Sequence, residues 1–346
     1  MSAERRLQNA ELKIEKTPVF QFCILRSAFC IFLLPLAAFA TVNEPLHMEL
    51  QTGYRNDNLH WHLQDAGDGG VLYSSEKYKN LQFWDNALDF RMIYRDLVFY
   101  VYGDYAAFGR GQLKQRLAYQ PYATDQAYLN FSVNGWAADW DTYFGLAVNL
   151  TDGRTYKFLV IPLVGYSGNY EVIDRPGSQT WTSSNAVGGT SYQVVSSFPS
   201  SLRQSWNGVY LGVGIEFDPV TRMTLNAGYA YHWIHLDFKT EFQEEITLYN
   251  PGITSQYIQL NSINSSSGGN LAHSGWAQID YRIDRAWRVG ARATVQYCVT
   301  SVLAVTQEQT TTHLVPASAT TTTNLEQKLK LRWTPVTAVF TVSRTF

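Results

Sequence analysis

The sequence predicts an all-β protein, a transmembrane antiparallel up-and-down β-barrel of about ten strands. Three observations predict it. Apolar residues alternate with small or polar ones at period 2 through much of the chain. Short and long connections follow one another in strict alternation. The composition is poor in charge without being rich in apolar residues. Of 346 residues, 16% are Asp, Glu, Lys or Arg and 45% are apolar, where soluble domains carry about 25% charged residues. Mean hydropathy is only -0.20. In a barrel, lipid-facing and lumen-facing residues cancel in any window average, which reconciles the two figures. The 22 Tyr and 10 Trp suit aromatic girdles at two membrane interfaces. The formal net charge of -2 comes with no basic block, so nothing points to nucleic acid.

The first 40 residues read as a leader. An apolar run over Ser27–Ala38 is of signal-peptide length and too short to span a bilayer comfortably, and Ala38-Phe39-Ala40 has the small-x-small form of a cleavage site. Cleavage is expected between Ala40 and Thr41, which leaves residues 41–346 as the barrel and an outer-membrane destination. The polar stretch before the apolar run is long for a leader, as an upstream-misplaced start would make it. Cys23 and Cys30 leave with the leader, so Cys298 can form no internal disulfide in the mature chain.

Strands are expected near 46–64, 80–94, 97–109, 126–150, 155–175, 204–217, 223–243, 271–283, 287–303 and 324–346. The two faces are plainest in Trp287–Val299, where Val289, Ala291, Ala293, Val295 and Tyr297 oppose Arg288, Gly290, Arg292, Thr294 and Gln296. In Asn207–Phe217, Val209, Leu211, Val213 and Ile215 oppose Tyr210, Gly212, Gly214 and Glu216. No stretch after Ala40 offers the uninterrupted apolar run of a membrane helix. Turn-like joints fall at Arg95-Asp96, Thr151–Arg154, Asp218–Arg222 and Asp284–Ala286. Long polar segments near 65–79, 110–125, 176–203, 244–270 and 304–323 read as loops on the opposite, external side. Pro162 and Pro335 lie inside strands, where bulges are expected. The terminal Phe346 after alternating residues resembles the signal read by the outer-membrane assembly machinery, although Arg344 stands where an apolar residue is usual.

The hairpin NLQFWDNALDFRMIYRDLVFYVYGDYAAFGRG (80–111) resembles the second and third strands of the omptins, ten-stranded outer-membrane proteases. WNGVYLGVGIEFDPVTRMTLNAGYAYHW (206–233) resembles their sixth and seventh. The opening LQTGYRNDNLHWHL (50–63) resembles the Protochlamydia outer membrane protein family. The omptin resemblance implies an Asp-Asp pair after the third strand and an Asp-x-His on the seventh, which together activate water for peptide hydrolysis. The matching segment 109–123 holds no carboxylate and instead carries Arg110, Lys114 and Arg116. The seventh-strand position offers His235 and Asp237 in the reverse order. A non-enzymatic barrel, porin-like or loop-presenting, is therefore the expected function, and an omptin-like or lipase-like hydrolase using His235 and Asp237 is the alternative.

With apolar faces turned to lipid, Asp85, Asp89, Arg91, Asp104, Glu216, Asp280, Arg282, Arg288 and Arg292 point into the lumen. Ten strands enclose a space that side chains can fill, so these residues are expected to form an ion-pair network or to line a small pore. Other candidates carry less. His60 and His62 share a face and could hold a metal, yet no third ligand is evident. Asp57, Asp65 and Asp68 could hold Ca²⁺ in a loop but lack a calcium-loop spacing. His273-Ser274-Gly275 reads as a chance tripeptide. No cofactor is expected. The expected partners are outer-membrane lipid, lipopolysaccharide and the assembly machinery.

Overall fold

The computed structural model describes residues 46–64, 73–118, 126–151, 157–175, 179–183, 191–250, 253–314 and 317–346. They form β1 (Leu46–Gln64), β2 (Tyr73–Tyr94), β3 (Leu97–Ala118), β4 (Gln126–Leu146), β5 (Val148–Asn149), β6 (Lys157–Arg175), β7 (Gln179–Ser183), β8 (Ser191–Val220), β9 (Met223–Asn250), β10 (Ile253–Arg282), β11 (Trp287–Leu314) and β12 (Ala317–Thr345). The expected leader, residues 1–40, lies outside the described residues.

All pairing is antiparallel. β1 pairs with β12 from His47↔Thr345 to Gln64↔Lys328, and β6 pairs with β8 from Lys157↔Asp218 to Arg175↔Ser200. These two ladders close the sheet into a ring of ten long strands, in which β5 prolongs β4 and β7 adds a short ladder to β8. A closed ring leaves no long edge to pair with other chains.

The turns are as tight as the sequence suggests. Tyr94 pairs with Leu97 across Arg95-Asp96, with Arg95 at φ 55°. Val220 pairs with Met223, which narrows the third joint to Thr221-Arg222. At the fourth, the amides of Ala286 and Trp287 donate to Asp284 Oδ1 at 2.7 and 2.8 Å. Those two donors hold the Asp284 carboxyl below the usual carboxylate range. Of the joint at Thr151–Arg154, only Thr151 is described.

The long connections depart from expectation. Two of the expected loops are mostly strand: Asn250 pairs with Ile253 and Leu314 with Ala317, so the joints shrink to 251–252 and 315–316. β3 likewise runs on to Ala118 opposite Tyr73. The Thr and Ser runs that suggest loops are the reason. Thr is β-branched and suits a pleated sheet, and it pairs with itself at Thr310↔Thr321 and Thr311↔Thr320.

Neither proline makes a bulge. Register is unchanged across Pro162, with Leu163 opposite Gly145 on β4 and Val160 opposite Val148 on β5. Proline has no N–H to give the ladder, and the break at Ala147 that separates β4 from β5 lies opposite Ile161 and Pro162. Pro335 stays paired with Asp57 on β1, while the β11–β12 ladder omits Gln296 and Tyr297 beside it and resumes in register at Cys298↔Trp333. The register shifts fall elsewhere, as at Lys79/Gln82, beside Asn80 at φ 52°. Asn tolerates that left-handed conformation better than most residues.

The two faces exchange character along each strand. Near the turn end, β1 points Glu49, Gln51, Arg55 and Asp57 inward and Leu50 and Tyr54 outward. Farther along the same strand, Leu59, Trp61 and Leu63 point inward and His60 and His62 outward. β12 repeats the change, from inward Thr341 and Ser343 with outward Phe340 and Val342 to inward Leu329, Leu331 and Trp333 with outward Lys330 and Arg332. The turn half is thus an inside-out barrel with an outer apolar belt, bounded by Tyr94, Tyr281 and Trp287 at one edge and by Tyr54, Trp84, Trp233 and Tyr297 at the other. Such a belt suits hydrocarbon. The hairpin half is an ordinary water-facing barrel around an apolar core.

That core draws on all ten long strands. Leu59 and Trp61 of β1, Phe83 of β2, Leu113 of β3, Val133 of β4, Ile173 of β6, Leu202 of β8, Phe238 of β9, Ile263 of β10, Val302 of β11 and Leu331 of β12 belong to one buried cluster. The Trp61 ring meets Phe238 edge-on at 5.7 Å, and Trp206 meets Trp333 at 6.0 Å. Burial of each such side chain stabilises by about 1.5–3 kcal/mol.

Candidate functional site

Below the apolar core the lumen is polar and ordered in two tiers. The upper tier centres on Arg55. Its Nε donates to Asp57 Oδ1 at 2.9 Å, its Nη2 to Asp57 Oδ2 at 2.8 Å and its Nη1 to Asp139 Oδ2 at 3.0 Å. Asp139 Oδ1 also accepts from Asn169 Nδ2. The Asp139 amide donates to Asp104 Oδ1, and Tyr102 donates to the other oxygen, each at 2.7 Å. Asp85 is buried in the same tier, and among the described residues neither of its carboxylate oxygens is hydrogen-bonded. The apolar walls above keep Arg55 dry, with the Phe83 and Trp333 rings 5.9 and 6.0 Å away.

The lower tier is tied by two glutamines. Gln51 Nε2 donates to Glu49 and Asp89, both at 2.9 Å. Gln278 Nε2 donates to Glu49 Oε2 at 2.9 Å and to Asp280 Oδ1 at 3.0 Å. Arg292 donates to the Tyr100 hydroxyl at 3.0 Å and stands 3.8 Å from Asp89. Nearer the turns, Arg91 and Lys157 grip Glu216 at 2.8 and 3.1 Å. Between the tiers, His232 bridges Ser167 (3.1 Å) and Ser274 (2.8 Å), and Tyr210 donates to Asp141 at 2.6 Å. Inward glycines make room for these rings: a Cβ on Gly165 would strike Tyr210, and one on Gly228 would strike Trp276.

Two adjacent cavities remain. One, of about 60 Å³, is lined by Asp104, Asp141, His232 and Arg292. The other, of about 110 Å³, is lined by His47, Glu49, Asp89 and Arg288. Each can house a few waters at roughly 10–15 Å³ of such volume apiece.

Of the expected lumen residues, Asp89, Arg91, Glu216, Asp280 and Arg292 join this network directly, Asp104 joins the upper tier and Asp85 is buried beside it. Arg288 lines the lower cavity. Arg282 lies at the last turn, where its amide donates to the Arg222 carbonyl at 2.7 Å, and among the described residues no side-chain partner is found for it. Arg55, Glu49, Gln51, Asp139 and Asp141 went unread in the sequence, and Asp57 was legible there only as a loop carboxylate. Their signal was the parity of β1 and β4, since Leu50 and Tyr54 facing out require residues 49–57 of odd number to face in.

The remaining candidates are corrected by position. Asp57 is not a loop ligand but the fully buried partner of Arg55; Asp65 and Asp68 lie outside the described residues. His60 and His62 face outward with their rings 5.6 Å apart, and no group of three metal-type ligands exists among the described residues. His273 faces outward, where its Nδ1 and the Tyr229 hydroxyl lie 2.5 Å apart, whereas Ser274 faces inward to His232. His235 and Asp237 stand 3.4 Å apart on the outer wall, each about half exposed. They face away from the lumen, and His235 Nε2 contacts Ser266 at 3.0 Å.

The sequence profile of the Protochlamydia outer membrane protein family matches residues 49–346. The chain belongs to that family. Its location is accordingly the bacterial outer membrane, which the apolar belt suits. No curated protein matches it in sequence. Among solved structures, the outer membrane protease OmpT of Escherichia coli is similar over 88% of this chain and 99% of its own, with a TM-score of 0.55 at 11% identity. That likeness concerns the ten-stranded fold. The toluene transporter TodX of Pseudomonas putida matches over 88% of this chain and 90% of its own at 6% identity, with a TM-score of 0.32. The family's barrel thus joins OmpT in architecture, while its lumen must be read from its own residues.

Proposed function

We propose that this family member is a closed, non-conducting surface barrel whose task is to carry β-hairpins beyond the membrane. The observation that supports it is the apolar core contributed by all ten long strands. An ion that entered from the turn side would meet polar groups and then the buried side chains of Trp61, Phe83, Phe238 and Leu331. The ion-pair tiers act as internal struts, filling a lumen that must stay polar where the outer wall is apolar. The hairpins of β8–β12 reach past the belt by a dozen or more residues on each strand. Phe346 and the outward residues before it serve the assembly machinery, and Arg344, whose guanidinium lies 4.8 Å from the Phe346 ring and 5.4 Å from Trp287, packs as an aromatic neighbour would. The first 40 residues act as the export leader.

The test is planar-bilayer recording with the refolded chain. Absence of conductance steps at protein levels that insert reproducibly supports the reading. Stable unitary conductance in the unmodified protein overturns it in favour of a channel.

A further inference from the structure

The upper tier of the lumen holds more acid than its own cation balances. Asp57, Asp85, Asp104, Asp139 and Glu171 face inward around a single cation, Arg55. Each of the ten long strands is described from the turns to the apolar core, so this is the balance of the whole wall at that height. A buried carboxylate without a countercharge is costly. The unpartnered polar atoms point the same way. Among the described residues, both Asp85 oxygens, Glu171 Oε1, Asn169 Oδ1 and Gln204 Oε1 have no hydrogen-bond donor, on side chains at most 1% exposed. Asn169 and Gln204 already give their amide N–H groups to Asp139 and Glu171, so it is acceptors that are left over. The orphaned donors nearby are the indole N–H groups of Trp61, Trp206 and Trp333, which are neutral and cannot offset the charge.

A cavity lies beside these acids. The space of about 60 Å³ is bounded by Asp104, Asp139 and Asp141 and by the rings of Tyr102, Tyr210 and Trp276. Gln296 lines it too, and its buried Oε1 has no donor among the described residues. Arg292 is the cation in this lining, but its guanidinium is engaged by Tyr100 and Asp89. Asp141, Trp276 and Arg292 also line the neighbouring cavity, which extends to His47 and Arg288 near the turns. The acids stand apart rather than converging: no group of three metal-type ligands exists among the described residues.

We propose that this cavity binds a small primary alkylammonium ion. Its N–H groups donate in several directions, to carboxylates and an amide oxygen on separate strands, where a metal needs its ligands gathered on one centre. The aromatic rings that close the rest of the cavity suit both the positive charge and the methylene groups behind it. Asp85 and Glu171 do not line the cavity, and the charge reaches them through the low-dielectric interior. Water can fill the same space, but it leaves the excess of acid unbalanced. The cavity lies on the turn side of the apolar core, so the assignment holds whether or not that core seals the barrel.

The refolded chain, in dodecyl maltoside and amine-free phosphate buffer, is titrated by calorimetry with ethylammonium, 1,4-diaminobutane or potassium chloride. Asp104→Asn/Asp141→Asn, which keeps an acceptor for the Tyr102 and Tyr210 hydroxyls, is compared with Glu241→Gln on the outer wall. Each variant is checked for folding by heat-shifted gel migration. The expected result is saturable amine binding that weakens at least tenfold in the lumen variant and is unchanged in the outer-wall variant, with potassium neither bound nor competing. Should the double variant fail to fold, Asp141→Asn alone must weaken binding at least threefold. No saturable binding of either amine overturns the proposal, and a lumen variant that is then more stable in urea assigns the neutralising role to protons. Potassium that displaces the amine also overturns it, in favour of an alkali-metal site. So does equal affinity in the wild type and the lumen variant.

Discussion

Arg55 and Asp57, two positions apart on the same inward face of β1, form a two-pronged pair at 2.8 and 2.9 Å with both side chains fully buried. They sit where the lumen changes from polar to apolar, with Glu49 and Gln51 on one side and Leu59 and Trp61 on the other. Removing one partner leaves a dry, uncompensated charge. Arg55→Met alone should therefore destabilise the barrel by about 3–5 kcal/mol, and Arg55→Met/Asp57→Leu should recover part of that loss because the bare carboxylate is gone. Urea unfolding of the refolded proteins measures both. Equal losses in the single and double variants would show that the pair is not coupled.

The apolar core is expected to be both strut and stopper. Trp61→Ala should cost about 3–5 kcal/mol in the same assay. Trp61→Ala/Phe238→Ala should admit measurable current in planar bilayers where the parent shows none. A folded double variant that stays electrically silent would place the seal elsewhere in the cluster.

His60 gives a pH dependence with a definite sign. It lies roughly 20 Å along the strand beyond the belt residue Tyr54, outside the lipid. Burial, helped by Lys77, His62 and Arg332, lowers its pKa from 6.5 to about 4. The unfolded chain thus takes up this proton first as pH falls. The stability His60 contributes is whole above pH 6.5 and is lost on descent toward pH 4. His60→Gln should lose less stability than the parent between pH 7.5 and 4.5, read as the shift in urea midpoint. An identical loss in both proteins would assign the acid sensitivity to other groups.

The outer-wall placement of His235 and Asp237 predicts that dibasic peptides are not cleaved by this dyad. Turnover by the refolded protein should equal the buffer blank, and His235→Ala should change nothing. Robust cleavage abolished by that substitution would restore the hydrolase alternative.

Deleting Phe346 should slow assembly while leaving the completed barrel as stable as the parent. The residue is 61% exposed at the end of β12, so it contributes little packing. Pulse-chase conversion to the heat-shifted form reads the rate, and urea unfolding the stability. Unchanged conversion would remove its role as an assembly signal.

The strand count and tight turns were legible because period 2 and turn residues are local signals, as at Arg95-Asp96 and Asp284. The hairpin extensions were not, since the threonines at 310–312 and 320–323 fit a polar loop and a water-facing strand equally well. The lumen was read only where outward neighbours were plainly apolar, as around Arg292. Arg55 was missed, and Asp57 misplaced in a loop, because β1 changes the meaning of its alternation midway: a pattern of polar and apolar residues persists, but the side that is wet reverses. Asp139 and Asp141 depended on β4, where Trp136, Trp140 and Tyr143 blur the two faces.

That reversal also fixes how deep the protein floats. If the barrel sank by two residues, Arg332, Lys330 and Lys77 would move toward hydrocarbon, where each costs up to about 2–4 kcal/mol near mid-bilayer and less at the interface. If it rose by two, Leu97, Phe340 and Val342 would come out into water. Each strand thus carries its own waterline, and the ten together hold the barrel level.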